Sequence, residues 1–263
     1  MIPTGKLKIL RADYFDAYRQ QLPIDLKTAF PVVPEVTFTA DTFGFYTSVS
    51  SVYSSKIEGE PIELDSYLKH KFQKVKYVSD YTKKTDDLFN AYQFAQKHPL
   101  DFKNLLEAHS LLTKNILSTS ARGRIRTQPE FILDNEGRIE YVAAPPDIVK
   151  QETKKLFADI RLLLKTNLKI EEVFYFASMI HLVFLKIHPM QDGNGRTSRL
   201  LEKWFLAEKL GENAWFIQSE RFYYRHLADY YRNVHLGLEY ETVNYDRCLP
   251  LLLMLPASLI PAK

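Results

Sequence analysis

Cysteine is all but missing from this chain of 263 residues, which has one, Cys248. An intramolecular disulfide and a cysteine-rich zinc site are therefore excluded, which suits a reducing compartment, and a cytoplasmic location is the expectation. Glycine is scarce too, with nine in all. Long stretches carry apolar residues at helical rather than alternating spacing, so the fold class expected is mainly α with little sheet. A one-sided charge is also lacking: 35 basic residues face 32 acidic ones, a formal +3. No nucleic-acid or membrane-surface partner is announced by that balance. The longest apolar stretch, Val173 to Leu185, falls short of the roughly 20 residues that cross a bilayer. The opening MIPTGKLKIL has no long apolar core, so no signal peptide is expected. The late LPLLLMLPASLIPA is broken by Pro250, Pro256 and Pro261 and reads as a packed tail. With 46% hydrophobic and 25% charged residues, the chain has the means to bury a core as one large domain or two small ones.

The pattern along the chain sets out a series of helices. A proline-marked stretch from Pro23 to Pro34 separates a short N-terminal arm. Asp41 is a fitting cap for a helix through Ile57, with Phe45, Val49, Val52 and Tyr53 on one face and Gly59 as its stop. Further helices are predicted at about 62 to 71, 79 to 97 (opened by Ser79) and 101 to 117 (opened by Asp101). Between Arg124 and Val142 the pattern changes to two short strands around a turn containing Gly137, a β-hairpin. Pro145 and Pro146 open a helix to about Leu168. From Ile170 to Ile187 the sequence is apolar on nearly every face, which describes a helix surrounded by others. It ends at His188, before Pro189; the next helix stops at Gly211, and a last one covers 219 to 234. The lysines at 69, 71, 74, 76, 83 and 84 lie among Phe72, Tyr77 and Tyr81, but Asp86 and Asp87 follow, and a solvated face is the simpler account.

The chemistry concentrates in residues 188–199, HPMQDGNGRTSR, a helix end, a glycine-rich loop and a helix start. Glycines on both sides of Asn194 permit positive φ and close backbone approach. Successive N–H groups then turn inward as an anion nest where the next helix presents its positive end. Arg196 and Arg199 lie three apart, hence on one face, and guanidinium forks suit phosphate oxygens. Asp192 is a hard oxygen ligand of the kind that holds Mg²⁺ beside phosphates. His188, with a side-chain pKa near neutrality, is the natural general base. His181, seven residues earlier, reads as a packed residue.

This stretch resembles the Fic family signature, which in words is His-Pro-Phe-any-Asp/Glu-Gly-Asn-Gly-Arg-any-any-Arg. Eight fixed positions match, and the one departure is Met190 in place of Phe, where a flexible Met fills similar space. The resemblance implies a Fic-type helical bundle whose hairpin is a flap. It implies transfer of AMP from ATP to a hydroxyl of a target protein, with ATP as substrate and Mg²⁺ as cofactor. His188 would deprotonate the hydroxyl and Asp192 would hold Mg²⁺. Gly193, Asn194 and Gly195 would bind the α- and β-phosphates through loop N–H groups and the Asn194 amide. Arg196 would support that site and Arg199 would take the γ-phosphate.

Ser54, Glu58 and Gly59 resemble the family's inhibitory motif, Ser/Thr-any-any-any-Glu-Gly/Asn, whose Glu reaches the second arginine of the signature. The pair here is Glu58 with Arg199, and a bidentate contact would fill the fork meant for the γ-phosphate. The organisation implied is an N-terminal helical region, 1–100, with the inhibitory helix at about 41–60, a Fic core at 101–235 and a packed tail at 236–263. A target protein is expected to dock on the hairpin at about 124–142 by strand addition. Because Pro129 removes a donor from the first strand, the free edge is expected on the second strand or the residues after it. Removal of AMP, another nucleotide donor, and a catalytically silent interaction module are the rival readings. A homo-oligomer is left open.

Overall fold

The structure is a computed structural model that describes residues 4–30, 40–78, 80–133 and 136–261. The expected cap Ser79 and the later part of the proline-marked stretch lie outside what is described, and Asp41, also expected as a cap, falls within the helix Ala40–Ile57, which already includes Ala40. The helices are α1 (Phe15–Gln20), α2 (Leu26–Ala29), α3 (Ala40–Ile57), α4 (Leu64–Gln73), α5 (Lys83–Lys97), α6 (Phe102–Leu112), α7 (Val149–Lys165), α8 (Ile170–Ile187), α9 (Asn194–Leu210), α10 (Ser219–Arg225), α11 (Leu227–Val234), α12 (Leu249–Leu252) and α13 (Met254–Ala257). Among the described residues the sheet is one antiparallel hairpin, β1 (Phe131–Leu133) with β2 (Ile139–Val142). The fold is mainly α, as expected, and among the described residues no helix is long and apolar enough to cross a membrane.

α8 is the hub. Its side chains are buried on all sides, and α1, α2, α7, α9, α12 and α13 pack around it. One core cluster runs from Leu10 to Leu255, so the early helices and the tail share an interior with α8 and α9. The N-terminal arm is fastened by the buried Asp159 of α7, which accepts the N–H groups of Lys8, Ile9 and Leu10 at 2.8 to 2.9 Å. Cys248 is buried, and burial pushes its thiol up to about 12, which leaves no thiolate for redox chemistry.

α3 keeps part of its expected face, with Val49 and Val52 buried, and is buried on its other side as well. Phe45 is 42% exposed, while that other side carries Phe43, Thr47, Ser50, Ser51, Ser54 and Ile57 at helical spacing. Small residues there let the helix lie close to its neighbours. Ser48 and Ser51 donate to the carbonyls of Gly44 and Thr47, each at 2.8 Å, so their hydroxyls are satisfied within the helix. Ser50 accepts from Lys203 Nζ of α9 at 2.6 Å. That ammonium also meets Glu220 of α10 at 2.6 Å, and Tyr92 of α5 donates to the other oxygen of Glu220 at 2.6 Å. The pair is fully buried, and Lys203 holds the Glu220 carboxyl below its ordinary range against the cost of burial.

Further features differ from the sequence pattern, among them α6, which ends at Leu112 rather than about 117, and α5, which starts at Lys83 rather than 79. The last helix is two: a break at His226 lets Tyr223 and Tyr230 stack at 5.1 Å, where a continuous helix would separate them by roughly 10 Å along its axis. The hairpin strands are shorter than 124–142, because Arg126 donates its backbone N–H to Pro189 O at 2.9 Å instead of pairing in a strand. Beyond β2 the edge is not free: Val142 N–H donates to Leu238 O at 2.7 Å, so the chain's own later segment covers it. The helix after Pro145 starts at Val149, since Ile148 and Val149 first turn back to Pro145 O. Asp101 does cap α6, accepting from Asn104 N–H at 2.7 Å. The lysine-rich face is neutralised by pairs such as Lys69 with Asp65, Lys71 with Asp86 and Lys84 with Glu60, at 2.6 to 3.0 Å.

Replacing Glu220 by Gln leaves the Lys203 ammonium buried without its partner. The expected loss of stability is about 3–5 kcal/mol by urea denaturation, and Lys203→Met in the same chain should recover much of it.

Candidate active site

The site forms where α8 stops and α9 starts. α8 cannot continue through Pro189, and His188 turns out of it in the left-handed region, φ 52 and ψ 59. That conformation is strained for a residue with a Cβ and persists only where its surroundings hold it. The ring Nδ1 faces the carbonyl of Leu185 at 3.3 Å. A carbonyl only accepts, so Nδ1 carries the proton and Nε2 is the basic nitrogen. The His188 pKa is pushed down to about 4: burial contributes most, Arg126 and Lys186 add to it, and the Leu185 carbonyl and Glu58 oppose it. The imidazole is neutral at pH 7.

The loop that follows is fixed from within. Met190 is buried, in keeping with a position that packs inward. Asn194 spends its carboxamide on Met190, accepting from its N–H at 2.9 Å and donating to its carbonyl at 2.8 Å. The amide thus shapes the loop, and what Asn194 has left for an anion is its backbone N–H. Gly193 caps α9 at φ 79, and a Cβ there would meet Thr113 Cγ2 at 2.8 Å and Leu112 Cδ1 at 3.0 Å. Asp192 is half exposed; its Oδ1 accepts from Gly193 N–H and, at 3.4 Å, from Arg196. Arg196 is buried, and its Nε has no partner among the described residues.

Arg199 lies one turn along α9 and is buried. Its Nε donates to Ser54 Oγ at 2.9 Å, and its Nη2 to Ser54 O at 3.0 Å and Glu58 Oε1 at 2.7 Å. Nη1 reaches Tyr230 OH at 3.4 Å. Glu58 therefore meets the guanidinium through one oxygen rather than as a bidentate fork, because Ser54 already takes the adjacent donors. Burial works against both charges, yet their mutual attraction holds Glu58 below and Arg199 above their ordinary ranges. Glu58 sits just past the end of α3, where Gly59 takes φ 83 and stops the helix. Its side chain is 26% exposed, and Oε1 lies 2.3 Å from where a Gly195 Cβ would be. Only glycine at 195 leaves room for the carboxylate.

A cavity of about 470 Å³ brings together Glu58, His188, Gly195 and Arg199 on one side with Tyr141 of β2 and Tyr231 of α11 on others, while Asp192, Gly193, Asn194 and Arg196 are not among its lining residues. Tyr231 donates to Ile57 O at 2.7 Å and so pins the end of α3. Two residues that the sequence reading passed over hold the loop. His109 of α6, neutral and buried, accepts from Gly123 N–H at Nδ1, so its Nε2–H donates to Asp192 O at 2.9 Å. Arg126, before β1, donates from Nε to His188 O at 2.7 Å. His109 stood on a helix face like any core residue, and Arg126 in a run of basic residues, so neither carried a local signal. His181 is packed as expected, between Glu202 at 2.8 Å and Tyr230 OH at 2.9 Å.

Comparison with known proteins bears on this geometry. Residues 99–206 match the family model of the Fic/DOC family. The whole fold is similar to a Fic family protein from Desulfovibrio desulfuricans, with TM-score 0.72, 20% identity, and 93% of this chain and 70% of that one covered. A Fic domain containing signaling protein from Bacteroides thetaiotaomicron aligns with TM-score 0.65 and 19% identity over 92% of both chains. Fic-1 from C. elegans aligns with TM-score 0.64 and 16% identity over 92% of this chain and 69% of that one. At these identities the likeness is one of fold, and it takes in the helices that flank the matched residues. The loop at 188–199 lies within the matched span, and residues 99–206 of this chain are a Fic/DOC family domain.

Proposed function

We propose that this protein transfers AMP from ATP to a hydroxyl side chain of another protein, and that Glu58 restrains the transfer. Its Fic/DOC domain gives it the character of a Fic-type transferase. The observation that carries the finer reading is the 2.7 Å contact of Glu58 with Arg199 in the cavity that also holds a neutral His188.

In the proposed reaction the acceptor hydroxyl loses its proton to His188 Nε2, and its oxygen bonds to the α-phosphorus. The bond to the bridging oxygen of the β-phosphate breaks and pyrophosphate leaves. The N–H groups of the first turn of α9 point their partial positive charge at the phosphates. The unpartnered Nε of buried Arg196 is a donor that an anion would satisfy, so the residues present fit a polyphosphate. Asp192, half exposed with one oxygen engaged in the loop, is the residue that would hold Mg²⁺. The ion, when bound, supplies neutralisation of phosphate charge. An acceptor segment is placed against the hairpin, where Phe131, Leu133 and Ile139 are exposed.

The proposed brake is competition for one guanidinium. While Glu58 holds Nη2 of Arg199 and lies over Gly195, a γ-phosphate is denied its fork and the chain a good pose for transfer. A second reading, removal of AMP from a modified protein, draws on the same carboxylate, which stays ionised and can orient a water.

The reading is tested with α-labelled ATP and Mg²⁺, supplied to the protein and to a cell lysate. Glu58→Gly should raise labelling at least tenfold over the unsubstituted chain, and adding His188→Ala should reduce it by about 10²- to 10⁴-fold. Label absent from every variant would overturn the transferase reading and favour the silent module, and release of AMP from labelled protein would favour the second. In calorimetry with non-hydrolysable ATP, Glu58→Gly should tighten Mg²⁺-dependent binding by about tenfold, the equivalent of 1.4 kcal/mol. An unchanged affinity would remove the brake from the account.

A further inference from the structure

The guanidinium of Arg126 occupies an unusual position: it lies between the two roots of the hairpin and the end of α8. Its Nη1 donates to Gln128 O at 2.8 Å, just before β1, and its Nη2 to Ala144 O, just after β2. From the same group Nε donates to His188 O at 2.7 Å, and Nη2 also reaches Ile187 O at 3.3 Å. The Arg126 backbone N–H takes the next carbonyl, Pro189 O, at 2.9 Å. One buried residue thus satisfies three successive carbonyls where α8 has run out of intrahelical donors.

We propose that Arg126 is the positioning residue of the general base, fixing the His188 backbone in its left-handed conformation and locking the hairpin to it as one unit. The inference rests on the transferase reading for its consequence, though not for its geometry. His188 has a Cβ and does not hold φ 52 unaided. The forked donor set of an arginine can engage carbonyls in several directions at once, and a lysine point charge cannot. Because the same guanidinium grips both hairpin roots, an acceptor laid along the hairpin is held in register with Nε2 of His188.

The position has an electrostatic consequence. The carbonyl end of a helix favours a cation near it, and so would raise the pKa of a histidine placed there. Arg126 covers those carbonyls with positive charge and opposes the effect, adding to the burial that lowers the His188 pKa most. The other groups that act on the ring are Lys186, which like Arg126 disfavours its protonation, and Glu58 and the Leu185 carbonyl, which favour it. Removing the Arg126 charge should therefore raise the His188 pKa, and keeping the charge without the fork should leave it low.

Histidine titration by NMR on the full chain separates these effects, with His188→Ala assigning the resonance among the 7 histidines. In Arg126→Gln the apparent pKa should climb, and in Arg126→Lys it should stay close to its original value. In the Glu58→Gly background both variants should lose kcat for AMP transfer by about 10- to 100-fold, with the affinity for ATP held within twofold. A His188 pKa unmoved in Arg126→Gln, or raised equally in both variants, overturns the electrostatic part. An unchanged kcat in Arg126→Lys overturns the positioning part. Failure of the transferase reading appears separately, as no transfer in Glu58→Gly itself while the titration still reads. If Arg126→Gln does not fold, Arg126→Lys compared with the unsubstituted chain in the Glu58→Gly background gives the kcat comparison.

Discussion

A buried guanidinium has to be answered, and in this protein the answer to Arg199 organises three helices. A charge without a partner in the interior is expensive, so whatever packs over α9 must bring acceptors. α3 supplies the Ser54 hydroxyl, the Ser54 carbonyl and the Glu58 carboxylate, and α11 supplies Tyr230. The hydroxyl of Tyr230 is turned in its own right by His181, and His181 by Glu202. One turn further along α9 the pattern recurs, with Lys203 answered by Ser50 of α3 and Glu220 of α10. Two cations on one helix thus face α3, and they are what Ser50 and Ser54 of its inner side answer.

The sequence disclosed the site more readily than the scaffold. Residues 188–199 carry their chemistry within one contiguous stretch, so the helix end, the loop and the next helix start could be read from Pro189, Gly193 and the two arginines alone. Glu58 was legible only through the resemblance of Ser54, Glu58 and Gly59 to an inhibitory motif, since their spacing alone describes an ordinary helix end. The hidden parts depend on contacts across the chain. Arg126 reaches His188 over 62 positions and His109 reaches Asp192 over 83, and nothing local to either residue marks it. Asn194 shows the opposite limit: its place in the loop was plain, but only the carbonyl and N–H of Met190 show that its amide is spent on shape.

The helix boundaries that moved did so for tertiary reasons. Phe45 has the size of a core residue, yet it is exposed while the serines at 48, 50, 51, 54 and 55 of the same helix are buried. The break at His226 costs backbone continuity and gains the stacked pair Tyr223 and Tyr230 over Glu202. The stretch before β1 has strand-like composition, but its donors go to the end of α8. In each case a local preference gave way to a contact that local periodicity does not encode.

The serine face of α3 also sets how that helix is held. Val52 packs with Ile62, Tyr67 and Phe89 of the α4 and α5 region, in a cluster apart from the main core. Toward α9, by contrast, α3 offers hydroxyls, a carbonyl and one carboxylate, and water can stand in for every one of them. The contacts made to α9 itself are polar and of the replaceable kind, whereas Phe43, which meets the ring of Trp215, and Ile57 bury apolar surface on the same side of α3. The end of α3 that carries Glu58 is thus held to α9 by replaceable polar contacts, while Phe43 and Ile57 fasten the helix into the main core.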